Sequence, residues 1–246
     1  MTHSLFHILN ISRQDMMSRM TDLDVSSNNI ANINTAGYKS SRSNFQELLT
    51  TKELEGVHLS STQMMTGQGN LKTTENPLDL AIEGDGYFSV KLADGKTGYT
   101  RDGQFIQDSA GKLVTSSGAV LNWSGTIPAD VEEIQIDKNG AVQTRVGETW
   151  TTAGNISLTR FTNPSGLTTY GNNIFLESTS SGTAQTGTPG ATNFGTIASQ
   201  SVEMSNVNLA NEFTHLMTVQ RNFQMSTRTF QQTDEMINEA IHMRKY

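Results

Sequence analysis

The residues able to do chemistry in this chain are few, and their spacings do not assemble a reaction centre. Five histidines, His3, His7, His58, His215 and His242, are scattered along it. His3 and His7 stand four apart, which on a helix puts both rings on one face, yet no acidic third ligand accompanies them as zinc requires. With Gly140 set at the sixth place of a calcium loop, the twelfth, where a bidentate glutamate belongs, falls on Val146. A type I′ hairpin turn over Asn139-Gly140 is the expected use of that stretch. Gly67-x-Gly69 and Gly84-x-Gly86 lack the third glycine of a nucleotide loop, and no serine occupies a nucleophile elbow. There are no cysteines, which excludes disulfides, thiolate metal sites and cysteine nucleophiles. Asn122-Trp123-Ser124 and Asn155-Ile156-Ser157 match glycosylation acceptors, a pattern too common to carry weight. Neither an enzyme nor a metal or other cofactor is expected.

What the sequence does contain is periodicity at both ends. In steps of seven, Leu209, Leu216, Phe223, Phe230 and Ile237 form an unbroken apolar column. The column four residues on is mixed: Phe213, Gln220, Thr227, Asp234, Ile241. Asn208, with Glu212 behind it, supplies an N-cap and an acidic first turn. A helix over Ser205 to Tyr246 would run roughly 55 Å, too long for so narrow a stripe to hold alone. The N-terminus repeats the pattern with Leu9, Met16, Leu23 and Ile30, beside the weak column Leu5, Ser12, Arg19, Ser26, Ile33. Matching periods at the two ends predict an antiparallel helix pair; the plainer alternative is an ordinary core helix at each end. Polar residues where a self-sufficient pair would place apolar ones point to registration against further copies.

Composition divides the chain in the same way. Of the 21 glycines, 20 lie between Gly56 and Gly195, and all four prolines (Pro77, Pro128, Pro164, Pro189) fall in the same stretch. Helix-compatible ends therefore flank a turn-rich middle. A hydrophobic content of 35% and a charged content of 17% are both low, as suits an extended or assembled chain rather than a sphere with a deep core. The net charge is −7 with the basic residues dispersed, so no nucleic-acid stripe is present. No segment is apolar enough to span a membrane, and Leu5 to Ile11 lack the basic start and small-residue site of a cleavable signal. The expectation is a cytosolic protein, unless it leaves by a route that reads no cleavable signal.

The middle, residues 77–176, reads as antiparallel β. Leu78, Leu80 and Ile82 alternate, as do Phe88, Val90 and Leu92; Ile134 and Ile136, Ile156 and Leu158, and Ile174 and Leu176 keep the period of two. Turn dipeptides Asp85-Gly86, Asp94-Gly95, Asp102-Gly103 and Asn139-Gly140 separate them. A small barrel or sandwich is expected, with Trp123 and Trp150 in core or inter-strand packing. Residues 37–76 and 177–199 read as extended connecting arms, with a short helical possibility around Phe45–Leu54, a mobile linker being the alternative. The terminal helical domain takes residues 1–36 and 200–246. The fold class is thus α+β: long N- and C-terminal helices paired as a coiled coil, a central antiparallel all-β domain, and extended arms. The methionines gather mostly on the terminal helices as adaptable packing surface.

Three blocks carry a family resemblance. Asn28-Asn29-Ile30-Ala31-Asn32-Ile33-Asn34-Thr35-Ala36-Gly37-Tyr38-Lys39 is similar to the N-terminal signature of the bacterial flagellar rod and hook proteins, with Asn29, Asn32, Thr35, Gly37, Tyr38 and Lys39 as its carriers. Asp79 to Phe88, followed by Tyr99-Thr100-Arg101-Asp102-Gly103-Gln104-Phe105, forms the second block. The third is Ser205-Asn206-Val207-Asn208 with Gln220-Arg221-Asn222-Phe223 and Asp234-Glu235-Met236. The segment Leu158 to Leu167 and the later Gly171-Asn172-Asn173-Ile174-Phe175 most resemble the distal rod branch. Between Phe45 and Gly69 the chain is shorter than that branch usually is, which leaves a proximal rod or hook-type axial subunit as alternatives.

The resemblance implies a non-enzymatic structural subunit that polymerises helically through its terminal helices into a hollow, torque-transmitting shaft that also passes exported subunits. It implies further copies of the chain, other rod subunits, hook protein, surrounding ring proteins and the flagellar type III export apparatus as partners. It also implies a place in the periplasm-spanning basal body, reached without a cleavable signal. No nucleic-acid partner and no membrane insertion are expected. Without the resemblance, the residues alone fit a β-module with partner-binding helical tails.

Overall fold

The computed structural model describes residues 2–50, 53–128 and 130–243, which divide into two compact units. One unit comprises residues 1–31, 41–65 and 207–246; the other comprises 32–40 and 66–206.

The first unit is built on two long helices, α1 (Thr2–Ala31) and α2 (Leu209–Met243). Both interiors are free of glycine and proline, so no residue breaks the backbone ladder. Asn208 caps α2: its side-chain oxygen accepts from the Asn211 N–H at 3.2 Å, and its carbonyl accepts from Glu212 N–H at 3.0 Å. The helices pair antiparallel, since Asn29 meets Glu212, Asp22 meets His215 and Asp15 meets Ser226. α1 also packs on a hairpin of β1 (Ser41–Thr50) and β2 (Glu53–Met64), paired from Ser41↔Met64 to Thr50↔Glu53. The helical possibility around Phe45–Leu54 is therefore corrected. Residues 45–50 and 53–54 are strand instead, because pairing of β1 against β2 satisfies more backbone groups than one isolated helical turn would, and residues 51 and 52 lie outside the described residues.

The second unit is antiparallel β throughout. Its largest sheet has nine strands, among them Tyr87–Lys91, Thr97–Thr100, Leu113–Thr115, Leu158–Arg160 and Ile174–Leu176. A separate three-stranded sheet joins Glu133–Ile136, Ala141–Val146 and Thr149–Asn155. One apolar core includes Leu80, Ile82, Phe88, Val90, Ile136, Ile156 and Ile174, which alternate in sequence, together with Phe105, Leu113 and Val142. Phe88 and Phe105 meet edge to face at 5.3 Å between centroids. Trp123 packs on that core, whereas Trp150 is exposed and lies beneath the guanidinium of Arg145, its cross-strand neighbour.

The return segment after Thr179 contributes the strand Gln185–Gly187, paired with Leu158–Arg160. The strands Thr196–Ser199 and Ser201–Glu203 then pair with Leu80–Glu83 and Leu71–Thr73. The turn at Asn139-Gly140 is not type I′. Only the glycine is left-handed, at φ +84°, and its N–H donates to Asp137 O at 2.8 Å, the geometry of a type I turn closed by a glycine bulge. The type I′ turn lies instead at Asn172-Asn173, both left-handed (φ 51° and 57°), closing a hairpin paired at Gly171↔Ile174.

Candidate functional site

Two features stand out, one in each unit: the seam of the helix pair, and a buried charge cluster assembled around Lys39.

The seam is polar. On α1, Ser12, Ser18, Asp22, Ser26 and Asn29 are buried, the very column that reads as weak in sequence together with its neighbours. Asn29 is the most connected. Its amide donates to Ser41 O at 2.8 Å and to Glu212 Oε1 at 3.2 Å, and its oxygen accepts from Ser41 N–H at 2.9 Å. His215 lies 3.2 Å from the Asp22 carboxylate, and the Ser226 hydroxyl donates to Asp15. Arg19 pairs with Asp15 one turn away at 3.3 Å and rests on the ring of Phe45.

On α2 Glu212, Leu216, Val219, Phe223, Ser226, Phe230, Thr233 and Ile237, alternating in steps of four and three, are turned inward, with Asn222 and Thr227 half-buried beside them and the Thr227 hydroxyl against Met16 Sδ at 3.6 Å. The companion of the apolar column is thus the one three residues on, through Val219, Ser226 and Thr233, not the one through Gln220 and Asp234, both of which are exposed. Thr233 is buried without penalty because its hydroxyl returns to the Thr229 carbonyl at 2.8 Å.

The columns themselves remain incompletely covered. Leu9, Met16, Leu23 and Ile30 on α1, and Leu216, Phe223, Phe230 and Ile237 on α2, are half-buried; Leu209 is exposed. Met17, Met20, Phe213, Met217, Met225 and Met236 are exposed beside them. Among the described residues no group of side chains could hold a metal ion, and no helix is long and apolar enough to cross a membrane. The side chains of His3 and His7 lie outside the described residues.

In the β unit the signature residues after α1 do a different job. Asn32 and Thr35 hydrogen-bond through their side chains at 3.2 Å, turning the chain, and Gly37 follows at φ +67°. A Cβ on Gly37 would lie 2.3 Å from Asp102 N, so this position excludes any side chain on two grounds. Gly37 N–H donates to Glu203 O at 2.8 Å. Tyr38 is half-buried. Lys39 is buried; its ammonium donates to Glu203 Oε1 at 2.6 Å and to Gly67 O at 2.8 Å. Arg101 reaches the other Glu203 oxygen at 3.2 Å and Gly84 O at 2.9 Å, with its guanidinium over the Tyr87 ring. Glu203 Oε1 also accepts from Gly69 N–H at 2.9 Å.

Burial pulls the Lys39 ammonium below its ordinary range, even against the opposing pull of Glu203, and pushes the Tyr87 phenol up. Glu203 carries no signal in sequence, since a single acid in the alternation of Ile197 to Met204 reads as an exposed strand residue. Its carboxylate nevertheless joins Lys39, Gly69 and Arg101, which are far apart in the chain.

The N-terminal helix with its Asn-to-Lys signature, the turn-rich β unit and the C-terminal helix follow one another along the chain. Three family models match in that order: Flagella basal body rod protein over residues 10–39, Flagellar hook protein FlgE/F/G D1 domain over 81–144, and Flagellar basal body rod FlgEFG protein C-terminal over 198–243. The chain is 36% identical to the flagellar basal-body rod protein FlgG of Caulobacter vibrioides over 96% of its own length and 98% of the relative's. It is also 36% identical to FlgG of Bacillus subtilis, over 94% and 96%. The flagellar hook protein FlgE of Helicobacter pylori is 34% identical over 52% of this chain and 22% of that protein. The chain belongs to the FlgG family of flagellar basal-body rod proteins, non-enzymatic structural subunits, in line with the resemblance to the distal rod branch.

Proposed function

We propose that this protein polymerises helically through its terminal helices into the hollow distal rod, a shaft that carries torque and passes exported subunits. The observation that supports this reading is the uncovered apolar surface of the helix pair, where both solid columns remain half-buried beside a polar seam. Apolar faces on helices this long gain stability when neighbouring copies cover them. In this reading residues 1–36 and 200–246 are the assembly core, residues 37–76 and 177–199 are arms between subunits, and residues 77–176 face outward. Leu9, Met16, Leu23, Ile30, Leu209, Leu216, Phe223, Phe230 and Ile237 are the contacts between copies. Neighbouring rod subunits, hook protein and the surrounding rings complete the partners. The subunit reaches its periplasm-spanning place through the type III export apparatus without a cleavable signal.

Phe223→Ala tests the proposal. The thermal transition of the isolated subunit's β unit stays unchanged while rod completion and motility are lost, since every subunit repeats the defect along the polymer. A transition lowered by several degrees with assembly intact would assign Phe223 to an internal core and remove the support for polymerisation through this column.

A further inference from the structure

Three sequence blocks meet at one cleft in the β unit. Asp85-Gly86-Tyr87, Arg101 and Arg160-Phe161-Thr162 come from separate strands and turns, and with Thr66 they line a space of about 160 Å³. That is well below the roughly 300–1,000 Å³ of a pocket for a drug-sized molecule, but ample for one phosphate or carboxylate group.

The charges of the lining are out of balance. Glu203 is the single carboxylate ion-paired with both buried cations, Lys39 and Arg101, so that cluster keeps one uncompensated positive charge. The Nε of Arg101 is buried with no hydrogen-bond partner among the described residues. Arg160, half-buried at the end of its strand, forms no ion pair among the described residues. Phe161 packs edge-on against Tyr87 and Tyr99, giving the cleft an apolar wall that lowers screening beside the guanidiniums. Asp85 is the one acid of the lining. It is exposed at the rim, where water screens it, while Arg101 is buried.

We propose that this cleft binds a small oxyanion of the carboxylate or phosphate class, held by Arg101 and Arg160 with the hydroxyls of Thr66 and Thr162. Guanidinium forks match such oxygens in geometry as well as charge. The oxyanion comes either from solution or from an acidic side chain of a second copy of the chain. The assignment is independent of the rod reading.

Amide resonances of Gly86 and Thr162 in the full-length protein test it, during titration with inorganic phosphate and separately with acetate, against chloride at matched ionic strength. A saturable shift with either oxyanion, weakened roughly tenfold or more in Arg160→Gln and partly restored in Arg160→Lys, supports a free anion. A shift that grows with protein concentration in chloride alone, and is lost in Arg160→Gln, identifies the acidic side chain of a second copy. Resonances of Leu113 and Val142 report whether the variant is folded, and Thr162→Val carries the same test if it is not. Shifts that match those in chloride and do not depend on protein concentration, in wild type and variants alike, overturn the proposal.

Discussion

The two units bury different things. The β unit encloses Leu80, Phe88, Phe105, Leu113 and Leu158, all essentially inaccessible, and gathers Lys39, Arg101 and Glu203 into one buried charge cluster. The helical unit buries Ser12, Ser18, Asp22, Ser26, Asn29 and Thr233, and leaves Phe213, Met217 and Met225 in solvent. Burial of large apolar side chains supplies most of the free energy of a fold. Net hydrogen bonds supply direction and little else. Stability thus resides in the β unit, and specificity of pairing in the helices.

Substitutions can break that contrast at several points. The largest effect is expected at Glu203→Ala. It leaves Lys39 and Arg101 buried against each other and costs about 3–5 kcal/mol, read as a sharply lowered unfolding midpoint by near-UV signal from Trp123 and Trp150. Phe88→Ala follows, with about 3–5 kcal/mol lost from a packed core. Phe223→Ala, at a half-buried site, costs the isolated protein under about 1.5 kcal/mol; equal losses at the two phenylalanines by denaturant titration would erase the distinction between the units. Asn29→Ala removes three hydrogen bonds and costs about 1–3 kcal/mol, confined to the helical unit. Hydrogen exchange should then quicken at Ser41 and along α1 but not at Phe88 or Val142.

The smallest effect concerns Asp102, whose carboxyl is raised above its ordinary 3.8 chiefly by burial, with Asp79 adding to the rise. The folded chain therefore holds this proton after the unfolded chain has released it. Stability from this group falls as pH climbs from 3.8 through the higher folded value, and is level above it. Asp102→Asn keeps an oxygen for the Gln104 N–H, so it should be neutral in acid and stabilising at neutral pH. Chemical denaturation at both ends of that window reads the difference.

Much of this was legible from period and turn chemistry. Ile134 and Ile136 declare their strand because one face is covered and the other is open. Leu80–Glu83 declares itself less clearly, since Leu80, Ala81 and Ile82 are all buried and both faces are filled. The solid columns identify both helices and their pairing. The phase of the companion column does not follow from them. A heptad offers a neighbour at three or four residues, and polar residues on both sides give no hydrophobic contrast to choose by. The hairpin at Ser41–Met64 is illegible for a related reason, because its strands are polar and its register shifts at Asn44/Phe45 and Glu47/Leu49. Asn139-Gly140 reads as a turn, but whether it is type I′ depends on whether the flanking strands leave room for two residues or three. Lys39 is visible as a signature residue, while its counter-charge Glu203, 164 positions away, is a matter of topology.

The seam also behaves as a coded fastening. Asp15, Asp22 and Asn29 stand one heptad apart on α1, and each is read by a different group on α2: Ser226, His215 and Glu212. Suppose α1 slipped by seven residues so that Asp22 came opposite Glu212. Two carboxylates would face each other where an amide had sat, and the Ser41 backbone would lose its clasp on Asn29. An apolar seam would scarcely notice such a slip, since one leucine replaces another with little change. This one permits a single alignment and rejects its nearest misreading by repulsion. A polymer that copies each subunit's alignment into the next would then have its spelling checked at every step by one misplaced acid.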